Sequence, residues 1–287
     1  MADSQNKYRF HLINAFSLSA NAAFRLRAYD GPKESLVYNY QDVAPFLADV
    51  DWDVHPGALA THGDWPVEKL EEFEIVGVNR LPLVREACES GKYNAIVLLG
   101  GGDPGYAAAR EIGRRHRVPV TSCAHAQMHI ARMLGRRFSI VDISETHNMQ
   151  MVNLVIQYGF TNECASVRNV NFPLPRPAYP DEPPIEAERR KAVDGEQSPM
   201  LDAAFEEAVA AINDDGADVI IIGCSAAFWM QPFLQKRLDE AGWEAPVLEG
   251  TRCAIELAKT LVNLGVDASG LMLPSERPRQ WRRKKTF

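Results

Sequence analysis

The strongest constraint on the fold is an internal repeat within the 287 residues. Residues 9–14 align with residues 137–142, and residues 95–100 align with residues 219–224, so the offset is about 124 to 129 residues. In each half, short apolar runs alternate with amphipathic segments, which is typical of strands and helices in a parallel sheet. We therefore predict an α/β fold of two parallel-sheet domains, flavodoxin- or Rossmann-like, related by a pseudo-twofold axis.

The repeat also predicts where the domains meet. We place an N-terminal half at residues 1–134 and a C-terminal half at residues 135–287, with a last helix that can pack back on the first half. Two such domains leave a cleft lined by the carboxyl ends of both sheets, where open α/β sheets bind ligands. The Pro-rich stretch 173–199 is interpreted as an exposed excursion, either a lid or a disordered loop. Residues 20–29 are predicted to be helical.

Composition and charge exclude several classes of function. The net charge is −7 and no basic face dominates, which disfavours nucleic-acid binding. No apolar run reaches the ~18 residues of a membrane span. The five cysteines, without an export signal, predict reduced thiols and a cytoplasmic location. His125 and His129 are four residues apart but have no acidic partner nearby, so we predict no metal site.

One cysteine stands at a position that favours function. Four β-branched residues, 219–222, predict a strand buried on both faces, and Gly223 and Cys224 follow it. Small residues come next, which lets backbone N–H groups approach a ligand. The alternative is a buried structural thiol. The repeat favours the functional interpretation, because it places Cys224 across from Gly100 at the predicted cleft.

Four motifs resemble the aspartate/glutamate/hydantoin racemase superfamily, most closely its hydantoin racemases. Asn14 ends the first strand, where that branch has Asn-Pro-Asn-Thr, and residues 102–105 match its Asp-Pro-Gly segment. Residues 119–141 are similar to its long central motif, and Gly223-Cys224 matches its second catalytic cysteine. The resemblance implies chemistry without a cofactor, in which two thiols exchange a proton at the substrate's stereocentre.

The resemblance also implies a substrate and a set of binding residues. The substrate would be a small-molecule carboxylate or cyclic amide. Members of the family often form oligomers, so the resemblance also implies a homo-oligomer. Backbone N–H groups at strand ends would stabilise the enolate-like intermediate. The residues expected to bind substrate are Asn14, Ser17, Gly100, Gly101, Gly102, Ser144, Thr146, Ser225 and Phe228.

The sequence departs from the family at its first catalytic cysteine, where Gly100 stands. Three alternatives could compensate for the missing thiol. Cys123 ends the next strand and could reach the cleft, His125 could be the second acid, or the enzyme could have no second acid and use Cys224 alone. The last arrangement resembles the arylmalonate decarboxylases, which have glycine at this position.

Three functions remain open at this stage. The leading hypothesis is a cofactor-independent racemase or isomerase acting next to a carboxylate or carbonyl, with Cys224 as acid and base. The second is a lyase or decarboxylase that uses the single thiol. The third is a ligand-binding protein without catalysis. The bulkier residues after Cys224, including Phe228 and Trp229, suggest a substrate with an apolar or aromatic part.

Overall fold

A computed structural model describes residues 7–179, 184–274 and 276–284 of the chain. Strands and helices alternate through both halves. The strands are β1 (Tyr8–Ile13), β2 (Val50–His55), β3 (Ala95–Leu98), β4 (Val120–Ser122), β5 (Phe138–Asp142), β6 (Cys164–Asn169), β7 (Val219–Ile222) and β8 (Val247–Leu248). The helices are α1 (Tyr40–Leu47), α2 (Leu70–Glu89), α3 (Tyr106–His116), α4 (Cys123–Leu134), α5 (Glu145–Tyr158), α6 (Ile185–Val193), α7 (Pro199–Asn213), α8 (Met230–Glu240) and α9 (Gly250–Leu264).

The strands form two parallel sheets of four strands each. Their orders are β2-β1-β3-β4 and β6-β5-β7-β8, so the second sheet repeats the topology of the first. The central strands β3 and β7 are buried along their whole length, as expected for apolar runs covered by helices on both faces. The predicted α/β fold of two pseudo-twofold-related parallel sheets is confirmed.

Each half packs one helix against the sheet of the other half. Helix α9 packs on β3 and β4 of the first sheet, where Ala254, Ile255 and Ala258 join the core that contains Phe10. Helix α4 packs on β5 and β7 of the second sheet. Because each half covers part of the other's sheet, the carboxyl ends of β1, β3, β5 and β7 face a common cleft.

The Pro-rich excursion is well packed where the structure describes it. Leu174, Ile185 and Ala192 are buried in the core of the second half, and α6 occupies part of the stretch. Arg176 donates to Glu68 and to both carboxylate oxygens of Glu72, at the start of α2 in the first half. These described parts do not match the alternative of a disordered loop. Residues 180–183 lie outside the described residues.

Two local expectations differ from the structure. The stretch 20–29, predicted to be helical, is a series of turns whose Arg27 donates to backbone carbonyls of neighbouring segments. Strand β6 was not predicted, because its mixed polar sequence lies at a sheet edge and lacks an apolar alternation. Within the described part of the chain, no helix has the length and apolarity needed to cross a membrane.

Candidate active site

The cleft between the two sheets holds a narrow cavity. The carboxyl ends of both sheets line it, with Asn14 after β1, Gly100 after β3 and Cys224 after β7. The space open to the centre of a water molecule is about 50 Å³, so this conformation accepts a compact ligand. The two halves touch here, since a Cβ on Gly101 would lie 1.9 Å from the Gly223 carbonyl oxygen. Only glycine permits that approach.

Cys224 enters the cavity from the second half. It leaves β7 in extended conformation (φ −87°, ψ 134°) and precedes a short 3-10 turn, Ser225–Ala227. The residue is 5% exposed and lines the cavity together with Ser225 and Ala226. The all-apolar strand before it is fully buried and fixes its position. Cys224 therefore presents a thiol from a rigid strand end.

His147 lies beside this thiol and is held by a carboxylate. Its Nδ1 is 2.7 Å from Asp142 Oδ2, and both side chains are almost fully buried. Burial alone would lower the pKa of His147, but Asp142 and a side-chain hydrogen bond with Cys224 raise it well above the usual value. The three side chains form a Cys–His–Asp relay in which the charged form of the imidazole is favoured.

Local structure explains how this relay forms. Ser144 caps helix α5 and accepts a hydrogen bond from the His147 backbone N–H at 3.2 Å, which places His147 in the first turn. Asp142 ends β5, next to β7 in the sheet. A Cβ on Gly223 would lie 2.6 Å from Asp142 Oδ1, so glycine makes room for the carboxylate beneath the thiol.

The opposite wall carries backbone and a buried cation instead of a thiol. Gly100 has φ +126°, a conformation that side chains of L-residues rarely adopt. Within the described residues, no protein acceptor takes the backbone N–H groups of Gly101 and Gly102, which line the cavity. Arg80 lies beneath them, fully buried, and donates to the carbonyls of Ile13, Asn14, Leu99 and Pro104. This wall can stabilise negative charge.

Six of the predicted site residues line the cavity, and six do not. Those that line it are Cys224, Asn14, Gly100, Gly101, Gly102 and Ser225. The Asn14 amide is turned toward the protein, where it donates to Leu36 O at 2.9 Å and His55 O at 3.3 Å. Its position in the wall is therefore set by the loops around it.

Neither candidate for the second acid lines the cavity. Cys123 is fully buried behind Gly100, its sulfur in contact with the Leu98 carbonyl and the Gly100 N–H, and burial raises the pKa of its thiol well above the usual value. His125 lines a separate cavity with Tyr106 and His129. Burial and the neighbouring His129 lower the pKa of His125 to about 3. The structure thus places His125 in a cavity that Cys224 does not line.

Four predicted binding residues also lie outside the cavity. Ser17 donates to the Gly57 carbonyl at 3.1 Å, and Ser144 donates to Glu68. Thr146 is exposed on α5. Phe228 is buried in the core of the second half. The hydroxyls of Ser17 and Ser144 are occupied by the protein, so neither is placed to bind a ligand directly.

The structure adds cavity residues that sequence reasoning missed. His147, Arg27, Tyr38, Phe73 and Thr251 all line it. A signal for His147 was available, because Ser144 three residues earlier is a helix-capping residue and Asp142 ends the preceding strand. Arg27 and Tyr38 lie in irregular loops, where no periodic pattern reveals which way a side chain points.

The described residues contain no cluster of three or more His, Cys, Asp or Glu side chains arranged to hold a metal ion. The cleft instead brings together a thiol and a carboxylate-held imidazole from one half, and backbone N–H groups with the guanidinium groups of Arg27 and the buried Arg80 from the other. Fold and site together define a two-domain α/β enzyme with a single thiol in its interdomain cleft.

Comparison with known proteins identifies the family. The family model for Asp/Glu/Hydantoin racemase matches residues 68–258, more than half of the chain. The chain belongs to this family and is an enzyme of the racemase or isomerase type. The hydantoin racemase of Pseudomonas sp. (strain NS671) is 27% identical over 203 residues, which cover 70% of each chain.

Solved structures show the same fold. The allantoin racemase from Klebsiella pneumoniae superposes with a TM-score of 0.63 at 22% identity, covering 96% of this chain and 97% of that one. A liganded double mutant of arylmalonate decarboxylase gives a TM-score of 0.55 at 15% identity, covering 89% and 92%. At these identities the likeness concerns the fold alone.

Proposed function

We propose that this protein is a cofactor-independent racemase or isomerase that acts on a carbon next to a carboxylate or carbonyl, with Cys224 as the acid and base. The observation that supports it is the Cys224–His147–Asp142 relay on the cavity wall. A cationic imidazole stabilises negative charge on a sulfur that it contacts. Cys224 can then take the substrate's α-proton as a thiolate.

The opposite wall would stabilise the intermediate. When the α-proton moves to the Cys224 sulfur, the electron pair of the C–H bond passes to the carbonyl and forms an enolate. Gly101 and Gly102 line the cavity, and their backbone N–H groups, which have no acceptor among the described residues, can donate to the enolate oxygen above the charge of Arg80. Racemisation is completed when solvent water protonates the other face of the planar carbon and the Cys224 thiol returns its proton to solvent.

A second candidate, a lyase or decarboxylase with one thiol, is favoured by the wall at Gly100. Among the described residues that line this wall, none is a thiol or carboxylic acid. In that reaction the bond between the α-carbon and a carboxylate breaks, carbon dioxide leaves with the enolate behind it, and the Cys224 thiol donates the proton. Protonation from one face yields one enantiomer.

The test measures proton exchange and stereochemistry together. Wild type, Cys224→Ala and Cys123→Ala are incubated in deuterium oxide with hydantoins, amino acids and aryl- or alkylmalonates. Deuterium incorporation and optical rotation are then followed for each substrate. We expect Cys224→Ala to lose at least 10³-fold in exchange, whereas Cys123→Ala retains most of it.

The outcomes separate the candidates. Exchange with a racemic product, abolished by Cys224→Ala, supports the racemase. A single enantiomer from a malonate, with loss of carbon dioxide, replaces it with the lyase. Loss of exchange in Cys123→Ala as well would show that the buried second thiol takes part. If Cys224→Ala keeps both ligand binding and every observed turnover, the protein binds a ligand without this chemistry.

A further inference from the structure

The cavity has an unusual charge balance. Among the described residues that line it, Arg27 is a cation, and none is an aspartate or glutamate. The charge of His147 is balanced by the Asp142 carboxylate that it contacts. The guanidinium of Arg27 therefore places a positive charge on the cavity wall, with no carboxylate among the described lining residues beside it.

No carboxylate of the described residues pairs with Arg27. Its Nη2 donates to Phe16 O at 2.7 Å and Pro56 O at 3.1 Å, and its Nη1 donates to Leu36 O at 3.3 Å and, more weakly, Ala28 O at 3.4 Å. These acceptors are neutral carbonyls. Taking a guanidinium out of water is costly unless an anion accompanies it. A bound anion would supply that missing charge.

A second guanidinium strengthens this field. Arg80, beneath the Gly100 backbone, is likewise hydrogen-bonded only to carbonyls in the described structure, and the charges of the buried Asp103 and of Arg27 both act on it. Both lie in the N-terminal half. Two cations on one side of a small cavity attract an anion, although the whole chain has a net charge of −7.

Tyr38 connects Arg27 to the site of chemistry. The guanidinium carbon of Arg27 lies 5.5 Å from the centre of the Tyr38 ring. Tyr38 lines the cavity, close enough to Cys224 for their charges to interact. The Tyr38 O–H can donate to a ligand, and the nearby cation strengthens that donor.

The rest of the cavity wall is apolar. Phe16, Leu26, Val67, Phe73 and Leu174 line it, drawn from four different segments of both halves. A ligand that fills the cavity must therefore present a compact apolar group to these side chains and a polar group to Tyr38 and the glycine backbone.

We propose that the substrate is a carboxylate monoanion with a compact apolar substituent, and that Tyr38, oriented by Arg27, recognises its carboxylate group. This proposal rests on the proposed function and chooses the carboxylate over the uncharged cyclic amide. Arg27 is a positioning residue, since its N–H groups are bonded to the protein and it acts through Tyr38 and through its charge.

The experiment measures how well matched acids and amides protect Cys224 from alkylation. The probes are phenylacetate with phenylacetamide, and isobutyrate with isobutyramide, so that each pair differs in charge but hardly in shape. Iodoacetamide labelling of Cys224 is quantified by peptide mass spectrometry at constant ionic strength. The proteins are wild type, Arg27→Gln, Arg27→Lys and Tyr38→Phe, each checked for folding by circular dichroism.

In wild type we expect at least one acid to protect Cys224 at a concentration about tenfold lower than its amide. Arg27→Gln and Tyr38→Phe should reduce this preference to about twofold, and Arg27→Lys, which keeps a cation, should retain more of it than Arg27→Gln. If Arg27→Gln does not fold, the comparison of Tyr38→Phe with wild type still decides.

Three results would overturn the proposal: equal protection by acid and amide in wild type, an unchanged preference in Tyr38→Phe, or no protection by any probe. The two proposals can fail separately. Exchange of hydantoins without a preference for acids would support the Cys224 chemistry and contradict the proposed carboxylate recognition. A clear preference for acids without exchange of any substrate would support the carboxylate recognition and contradict the Cys224 chemistry.

Discussion

The ends of β3 and β7 occupy equivalent places in two sheets of the same topology, yet they carry different chemistry. After β7 come Gly223 and Cys224, and the thiol is backed by His147 and Asp142. After β3 comes Gly100, with φ +126° and a buried guanidinium beneath it. The repeat thus duplicates the scaffold but not the site.

The difference shows how one half can supply proton transfer while the other supplies charge stabilisation. A parallel sheet places backbone N–H groups and loop residues at its carboxyl end whatever those residues are. In the second half this position holds a titrating relay, and in the first it holds glycines, carbonyls and Arg80. Four measurements test this contrast.

The largest effect is expected from His147→Gln, which removes the cation from the C-terminal relay. We expect the exchange rate to fall about 10³-fold, or about 4 kcal/mol in activation free energy, with unchanged substrate range. The pH–rate profile should also change shape, which a purely structural defect would not cause. His129→Gln, an imidazole outside the cavity, is the control. Near-wild-type activity of His147→Gln would contradict the assignment of proton transfer to the second half.

A stability effect of about 3 kcal/mol is expected for Arg176→Ala, because a buried ion pair that loses one partner leaves an uncompensated charge. Arg176 joins the excursion of the second half to Glu68 and Glu72 of the first. Chemical denaturation measures the loss. Arg189→Ala removes a partly exposed pair with Glu186 on the same excursion and should cost less than ~1 kcal/mol. Equal losses would show that the buried pair stabilises the fold no more than the partly exposed one.

Gly100→Cys tests whether the first half can be given the missing thiol. The positive φ makes any side chain strained, so we expect Gly100→Cys and the matched Gly100→Ala to lose about 1–3 kcal/mol of unfolding free energy each. A Cβ would also lie 3.2 Å from the Ala15 Cβ. Exchange by the two variants should be equal. Faster exchange in Gly100→Cys would mean that the first wall can host a second acid.

The smallest effect is a pH dependence of stability. Folding raises the pKa of His147, so its stabilising contribution is complete below about pH 6.5, the unfolded value, and is lost as the pH rises through the folded pKa. The unfolding free energies of Cys224→Ala and Cys224→Ala/His147→Gln are compared from pH 6 upward, so that Asp142 alone holds the imidazolium. Their difference should shrink as the pH rises above about 6.5, by no more than about 1.4 kcal/mol per pH unit. A difference that grows with pH would mean that Asp142 does not hold an imidazolium.

The fold could be predicted because it depends on patterns that are local in the chain. Buried β-branched runs and the repeat were sufficient for the parallel sheets and for the strand ends that meet in the cleft. The polar edge strand β6 and the loop at residues 20–29 were missed or misassigned, since tertiary contacts decide their conformation. The site was predicted where it depends on strand ends and missed where it depends on loops.

The α/β topology, the position of Cys224 after a buried strand and the absence of a cysteine at residue 100 could be predicted, because each follows from residue type and periodicity along one segment. The packing of both halves was needed to show that His147 meets Cys224, that His125 and Cys123 do not line the cavity, and that Arg27 and Tyr38 do. Those contacts join segments far apart in the chain, and a side chain's direction there depends on the packing of both halves. Burial and neighbouring charges then shift the pKa values of the titratable side chains.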